Sequence, residues 1–481
     1  MINITIDYDF GRKKGMIVSD YLPNIREHFS IEDKSQKFKS RYNVGYRAPS
    51  RIYAITPQGR FEPRMYKEVI KYLNTLNSPL NINITEDFTD VIKTPFVDNT
   101  NLYPLSLPLR DYQKESIEVA LKAGFGTVLL ATSAGKTLVI ATLIKTIQKQ
   151  MKAQALIIVP NIGLLNQTYK DFISYGIDPS EIEKWTGGDK PTANIIITNT
   201  QILMSDIQDI SWLSDIELLV IDECHKNMAK NKINKIIKKI PARLRFGFTG
   251  SLPDTKIDVW NIFGIFGNVL YTKTSFELRE KKQITPVVVS AIKIEYNHRV
   301  FKTPSMEKPT EAYEEELEFL QNNKFRNSII SKLVNKVDKN ILIMIDRIAH
   351  GEILLKVLTE TTKKQVFFIQ GSVEVEDREK VIQLMESNDD IVCIAISNIF
   401  STGINIKNLH YIIFASIGKA KIKIIQSIGR SLRLNANKLM AYIFDIADIL
   451  RYGNSHYNDR IELYKNEKIE VRESILKEPI L

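Results

Sequence analysis

The strongest constraint on this chain is a series of short, almost wholly apolar runs at 127–130, 155–159, 194–197, 218–221, 341–345, 365–369, 391–396 and 411–414. A strand with one wet face alternates apolar and polar residues. These runs do not, so they fit strands covered on both faces, as in a parallel sheet. Helical patterns lie between them, which implies βαβ units. The series pauses between about Thr285 and Asn340, around an acidic helix-like stretch at 311–318. The expected fold class is therefore α/β, with two parallel-sheet domains in tandem and a junction near Pro286. A length of 481 residues leaves room for a third, smaller domain.

Residues 1–95 read differently. They are basic and rich in aromatics, with Gly-Arg-Lys-Lys-Gly at 11–15, Pro-Gln-Gly at 57–59 and a helix expected over 63–73. We expect a small separate α+β domain there. Residues 77–105 read as linker, because they are largely polar and broken by Pro79, Pro95 and Pro104. The expected boundaries are 1–95, 96–285, 286–460 and a C-terminal tail at 461–481.

The apolar runs are far shorter than the roughly 20 residues of a membrane helix. Asp7 and Asp9 interrupt the N-terminal stretch where a signal peptide would be apolar. The two cysteines, Cys224 and Cys393, allow one disulfide but fit better as free thiols in a reducing cytoplasm. Two thiols and six scattered histidines argue against a zinc site.

A net charge of +10 favours a polyanionic partner, although lysine-rich usage accounts for part of it. Nine Lys or Arg fall between Lys34 and Lys67 against one acid, Glu62. They are interleaved with Phe38, Tyr42, Tyr46, Tyr53, Phe61 and Tyr66. Some of these rings must form the small domain's core. Cations with accessible rings also suit nucleic-acid contacts, and Lys37, Lys39, Arg41 and Arg47 are the candidates. A second basic block, 226–245, carries isoleucines at 233, 236, 237 and 240 in helical spacing. It reads as a core-facing helix with a solvated lysine face.

The run from Thr127 to Thr137 is a strand, a loop of small residues and a helix start. This is the layout of a phosphate-binding loop. Backbone N–H groups of Thr132, Ser133, Ala134 and Gly135 would cradle phosphates, Lys136 would reach the β/γ-phosphates, and Thr137 would hold Mg²⁺. The full pattern wants glycine five residues before Gly135, where Leu130 stands, and an ordinary strand–turn–helix can also contain Gly-Lys-Thr. A second run, Leu218-Leu-Val-Ile-Asp-Glu-Cys-His225, is a buried strand ending in two carboxylates. Two acids often cap surface strands. At the C-terminal edge of a sheet that also bears a phosphate loop, however, Asp222 would meet the metal and Glu223 could polarise the attacking water.

Together these residues resemble the superfamily 2 helicases, whose second motif reads Asp-Glu-x-His. The remaining family motifs follow in order between about Leu107 and Asp448. Leu109-Arg-Asp-Tyr-Gln113 is similar to the adenine-recognition segment, which implies base contacts from Arg110 and Gln113. Val159-Pro-Asn-Ile-Gly-Leu-Leu-Asn-Gln167 resembles motif Ia. Phe248-Thr-Gly-Ser251 resembles motif III, which couples hydrolysis to movement, and Ile341-Leu-Ile-Met-Ile-Asp-Arg347 resembles motif IV. Ser397-Asn-Ile-Phe-Ser-Thr-Gly-Ile-Asn405 resembles motif V, which implies nucleotide contacts from Gly403 and Asn405. Gln426-Ser-Ile-Gly-Arg-Ser-Leu-Arg433 resembles motif VI, which implies that Gln426, Arg430 and Arg433 serve the γ-phosphate. Nucleic-acid contacts are implied for Pro160, Asn161, Gln201, Asn398 and Thr402. Asn405 and Cys224 depart from the Asp and Ala of many relatives, but neither change removes a group that hydrolysis needs.

Within the superfamily the chain looks most like the phage UvsW-type branched-DNA helicases. The resemblance implies two RecA-like domains, use of ATP with Mg²⁺, and forked or branched DNA as substrate. An RNA helicase, or a nucleotide-dependent clamp that binds without productive unwinding, is the alternative.

Overall fold

A computed structural model describes residues 1–33, 51–131, 134–206, 208–227, 231–297, 301, 309–370, 375–396, 406, 408–416 and 440–479. Several expected site residues lie outside them: Lys37, Lys39, Arg41, Arg47, Thr132, Ser133, Asn398, Thr402, Gly403, Asn405, Gln426, Arg430 and Arg433. The chain divides into two compact units. One comprises residues 1–130 and 135–273, the other residues 274–481 and the loop 131–134.

The first unit opens with a small mixed sheet. Its strands are Ile2–Asp9 (β1), Lys14–Val18 (β2), Arg60–Phe61 (β5) and Leu80–Ile84 (β6), in the order β5-β2-β1-β6. Ser30–Glu32 (β3) and Arg51–Tyr53 (β4) form a separate antiparallel pair. The turn at 57–59 depends on Gly59, whose φ is +79° and where any Cβ would lie 2.2 Å from the Ile17 carbonyl. The expected helix over 63–73 is present as a 3₁₀ turn, Pro63–Met65, leading into the helix Tyr66–Leu73.

Residues 77–105 are not simply linker. β6 pairs in parallel with β1, and the helix Glu86–Ile92 follows. Thr85 caps it, its hydroxyl accepting the Phe88 N–H at 3.3 Å. Leu80, Ile82 and Ile84 alternate with Asn81 and Asn83, the period of a half-buried strand. The three prolines fall outside both elements.

The rest of the unit is a seven-stranded sheet of Phe125–Leu130 (β7), Ala155–Val159 (β8), Ile182–Lys184 (β9), Ile195–Asn199 (β10), Leu218–Ile221 (β11), Leu244–Thr249 (β12) and Val269–Lys273 (β13). The order is β13-β7-β12-β11-β8-β10-β9, and every pairing is parallel. Strands β8, β10, β11 and β12 are buried along their whole lengths, as unalternating apolar runs require. Isoleucines 233, 237 and 240 turn inward from the helix Asn231–Lys239 and its end, with Ile236 partly buried beside them. The small domain has its own sheet, but among the described residues it shares its core with the large one. Its apolar residues join those of the large sheet in one cluster, and the Phe29 ring lies 5.2 Å from Trp260 on the helix Lys256–Phe266.

The second unit repeats the plan. Val287–Glu295 (β14), Ile341–Ile345 (β15), Gln365–Ile369 (β16), Ile391–Ile396 (β17), Tyr411–Phe414 (β18), Ala441–Asp448 (β19) and Glu470–Lys477 (β20) form a parallel sheet ordered β16-β17-β15-β18-β19-β14-β20. The two seven-stranded sheets are RecA-like domains in tandem, as expected. The expected tail at 461–481 is more than a tail in its described part, since residues 461–477 complete the helix Arg451–Asn466 and supply β20. Both cysteines are buried free thiols.

Candidate functional site

Register aligns the chemistry of the first unit at one sheet edge. Leu129 faces Thr249, Ile221 faces Ile158, and Val159 faces Asn199. The loop after β7, the carboxylates after β11, motif III at the end of β12 and motif Ia after β8 therefore all leave the carboxyl ends of neighbouring parallel strands. Ligands of open α/β sheets bind there.

The helix Lys136–Gln150 begins at Gly135, whose φ of +76° is left-handed. A Cβ at Gly135 would lie 2.5 Å from the Gln113 side-chain nitrogen, so loop and amide are in close contact. Gln113 is 4% exposed, and its Oε1 accepts the Arg110 N–H at 2.9 Å at the start of the helix Asp111–Ala123. The structure thus brings Gln113 to the loop, whereas Arg110 is exposed and donates to the Tyr112 hydroxyl at 3.3 Å.

Lys136 is buried. Its Nζ lies 3.4 Å from Glu223 Oε1 and 3.4 Å from the Leu130 carbonyl. Asp222 is fixed at the strand end because its Oδ1 accepts the Glu223 N–H at 2.8 Å. Glu223 adopts φ of +48°, a left-handed conformation that costs a non-glycine residue about 1–3 kcal/mol and recurs at functional sites. Its Oε2 lies 3.5 Å from His225 Nδ1. The same nitrogen is 2.6 Å from the Thr249 hydroxyl, which donates to the Ser251 carbonyl at 2.9 Å. With the hydroxyl proton committed to Ser251, Nδ1 is the donor to Thr249, which fixes the ring's tautomer. A polar chain therefore runs from Lys136 through Glu223 and His225 to Thr249. His225 and Thr249 were visible only as members of their motifs, and the 2.6 Å contact joins the residues after β11 to the end of β12. Burial, and then the charge of Asp222, push the Cys224 thiol far up, so it is an inert core group.

Asn161 accepts the Leu164 N–H at 3.0 Å and starts the helix Ile162–Ser174, while Asn199 caps the short helix that bears the exposed Gln201. Thr200 ties the two loops together by donating to the Pro160 carbonyl at 3.1 Å. Among the described residues no group of three His, Cys, Asp or Glu side chains could hold a metal ion. The donor set suits a magnesium ion brought with a nucleotide, which takes one or two carboxylates and completes its shell with phosphate oxygens and water.

In the second unit motif IV ends β15. Asp346 accepts a hydrogen bond from the Ser416 hydroxyl, and Arg347 pairs with Glu314 at 2.7 Å on the surface. Behind it, Arg326 is fully buried, pairs with Asp448 at 2.9 Å and donates to the Ala415 carbonyl at 2.9 Å. It thereby ties together the ends of β18 and β19.

Of the nine cations between Lys34 and Lys67, four are described, and all four have protein partners. Arg51 pairs with Glu27, Arg60 pairs with Asp9 at 2.7 Å, and Arg64 and Lys67 lie over the Phe125 ring.

Comparison with known proteins bears on the site as a whole. Residues 106–254 match the family described as type III restriction enzyme, res subunit, and residues 325–435 match the helicase conserved C-terminal domain. The chain is 30% identical over 384 residues to the ATP-dependent DNA helicase uvsW of Enterobacteria phage T4, covering 74% of this chain and 75% of that protein. It is 22% identical over 434 residues to the DNA 3'-5' translocase XPB2 of Sulfurisphaera tokodaii, covering 82% and 90%. Its fold resembles the crystal structure of the Pyrococcus furiosus Hef helicase domain with a TM-score of 0.51 at 13% identity, covering 73% of this chain and 98% of that one.

Proposed function

The chain belongs to the superfamily 2 helicases of the UvsW type, and from that premise we propose that it is an ATP-driven helicase of branched DNA. It unwinds or branch-migrates forks and junctions in replication, recombination or repair, in the cytoplasm of a phage-infected or bacterial host. The observation that carries this reading is the Lys136–Glu223–His225–Thr249 chain, which joins the phosphate loop to motif III at the ligand-binding edge of the sheet.

The residues take the following roles. Gln113, beside the loop, reads the adenine with Arg110. The amides of residues 132–135 and the helix start at Lys136 receive the phosphates, and Lys136 exchanges part of its pairing with Glu223 for the β/γ-phosphates. Bound through Thr137 and Asp222, magnesium would neutralise phosphate charge. Glu223 accepts the proton of the attacking water. His225 passes the resulting change in hydrogen bonding to Thr249, and so to the motif III loop. Arg430 and Arg433, with Gln426, stabilise charge on the transferred phosphate, while Gly403 and Asn405 contact the nucleotide. Pro160, Asn161, Gln201, Asn398 and Thr402 touch the strand, and Lys37, Lys39, Arg41 and Arg47 hold duplex arms.

The test is ATP turnover measured with single-stranded DNA, forked DNA, four-way junctions and RNA, alongside unwinding of the same substrates. Strong stimulation and unwinding with forks or junctions is the expected result. Stimulation by RNA alone would replace DNA as the substrate. DNA binding with no turnover would reduce the protein to a clamp.

A further inference from the structure

The Gly-Arg-Lys-Lys-Gly stretch at 11–15 has no part in the reading above. In the structure it is the turn of the β1–β2 hairpin, in which Asp9 pairs with Lys14 across the strands. At its tip stands Phe10, 63% exposed, followed by exposed Gly11, Arg12 and Lys13. The tip is braced from below. Asp9 pairs with Arg60 at 2.7 Å and its Oδ1 accepts the Arg12 N–H at 3.1 Å, while the Phe10 ring meets Tyr8 edge-on at 5.0 Å. Lys13 adopts a left-handed φ of +53°, which turns the chain back into β2.

An exposed phenylalanine held in place is a stacking surface that needs no further ordering. Its surroundings decide what it stacks on. The exposed apolar residues Met1 and Val18 lie at the opposite end of the hairpin, so among the described residues the tip offers one exposed ring beside Arg12 and Lys13, too small a patch for a protein interface. The base of the hairpin continues the positive surface. Lys14 pairs with Glu62, and the same carboxylate takes Lys238 at 2.6 Å. Lys238 belongs to the helix Asn231–Lys239, whose lysines face outward and which follows the catalytic carboxylates in sequence. An aromatic face beside a run of backbone-binding cations is the chemistry of single-strand and strand-end recognition.

We propose that the hairpin tip is a stacking post for the end of a DNA duplex at a fork. The Phe10 ring covers the first unpaired base, and Arg12 and Lys13 take the flanking phosphates. This deepens the proposed function and rests on it.

The test uses the full-length protein and a forked duplex carrying 2-aminopurine as the first unpaired base. The wild type should quench its fluorescence. Phe10→Ala should lose the quench and bind the fork about tenfold more weakly, the size of one lost base–aromatic stack. Its ATPase with long single-stranded DNA should stay within about twofold, and Phe10→Trp should restore both quench and affinity. Changing Arg12 and Lys13 to Gln should flatten the slope of log affinity against log salt by about two. Unchanged quench and fork affinity in Phe10→Ala, or no rescue by Trp, would overturn the proposal. A wild-type protein whose turnover ignores DNA would overturn the motor reading itself, a separate result.

Discussion

Glu223 is folded into a conformation that glutamate seldom takes, and its neighbours explain why it stays there. The left-handed φ of +48° accompanies a carboxylate set between Lys136 and His225, while its own N–H is held by Asp222. On the proposed function the two adjacent acids have different work, Asp222 for the metal and Glu223 for the attacking water. Glu223→Gln should keep Mg²⁺-dependent ATP binding and lose turnover by about 10²–10⁴-fold, the usual value of a general base. Asp222→Asn should instead lose the metal dependence of binding. Equilibrium binding with and without Mg²⁺, together with single-turnover hydrolysis, separates them. Collapse of nucleotide affinity in Glu223→Gln with surviving turnover would mean the roles are reversed. Arg430→Ala should cut turnover about 10³–10⁵-fold, as for other arginines supplied to a transferring phosphate. It should leave nucleotide-free DNA affinity unchanged in a filter or anisotropy assay. Loss of DNA binding with intact ATPase would move Arg430 to the nucleic-acid track.

At the scale of elements, what the sequence makes legible is what is fully buried. Runs such as Ile341–Ile345 and Ile391–Ile396 announced themselves as strands because both faces are covered. β6 and β20 did not, since their mixed and largely exposed residues look like linker and tail until β1 and β14 supply partners. The strand and helix on either side of the loop before Lys136, and the strand that ends in Asp222 and Glu223, were legible from local spacing alone. The His225–Thr249 contact needed the adjacency of β11 and β12. Long-range polar packing was equally hidden. His350 Nε2 donates to the Asn327 Oδ1 at 3.2 Å and lies 3.5 Å from Arg326, in the network that ties β18 to β19. Burial, and then the Arg326 charge, hold its pKa well below the ordinary 6.5. Below pH 6.5 the unfolded chain therefore takes up a proton that the folded chain refuses. Stability falls as pH drops through that value, by up to about 1.4 kcal/mol per pH unit, until the folded-state pKa is reached. Urea unfolding followed by circular dichroism between pH 5 and 7 should show this slope in the wild type and a shallower one in His350→Gln. Equal slopes would mean that His350 takes up its proton in the folded state as well.

For the whole first unit the question is whether residues 1–95 are a detachable accessory. Their composition suggests so, but the packing does not. Phe29 rests on Trp260, Asn268 donates to Glu68 at 2.8 Å, and Glu62 bridges Lys14 of the hairpin to Lys238. At Gly264 an added Cβ would come 2.6 Å from Glu62 Cβ, so the helix Lys256–Phe266 is shaped to receive the small domain. Two domains that share one core should unfold together. Trp185 and Trp212, with ring centroids 5.0 Å apart, report on the large sheet. Phe29→Ala should remove about 3–5 kcal/mol, as for other buried aromatic truncations, and should shift the transition seen by these tryptophans even though the change lies in the small domain. Trp260→Ala should do the same, and the double variant should lose less than the sum, because the two rings are in contact. By the same reasoning, deletion of residues 1–95 should lower basal ATPase as well as unwinding, since it strips the apolar face around Trp260. A truncated chain with full basal ATPase, or a Phe29→Ala variant whose tryptophan transition stays in place, would show the small domain to be an independent module.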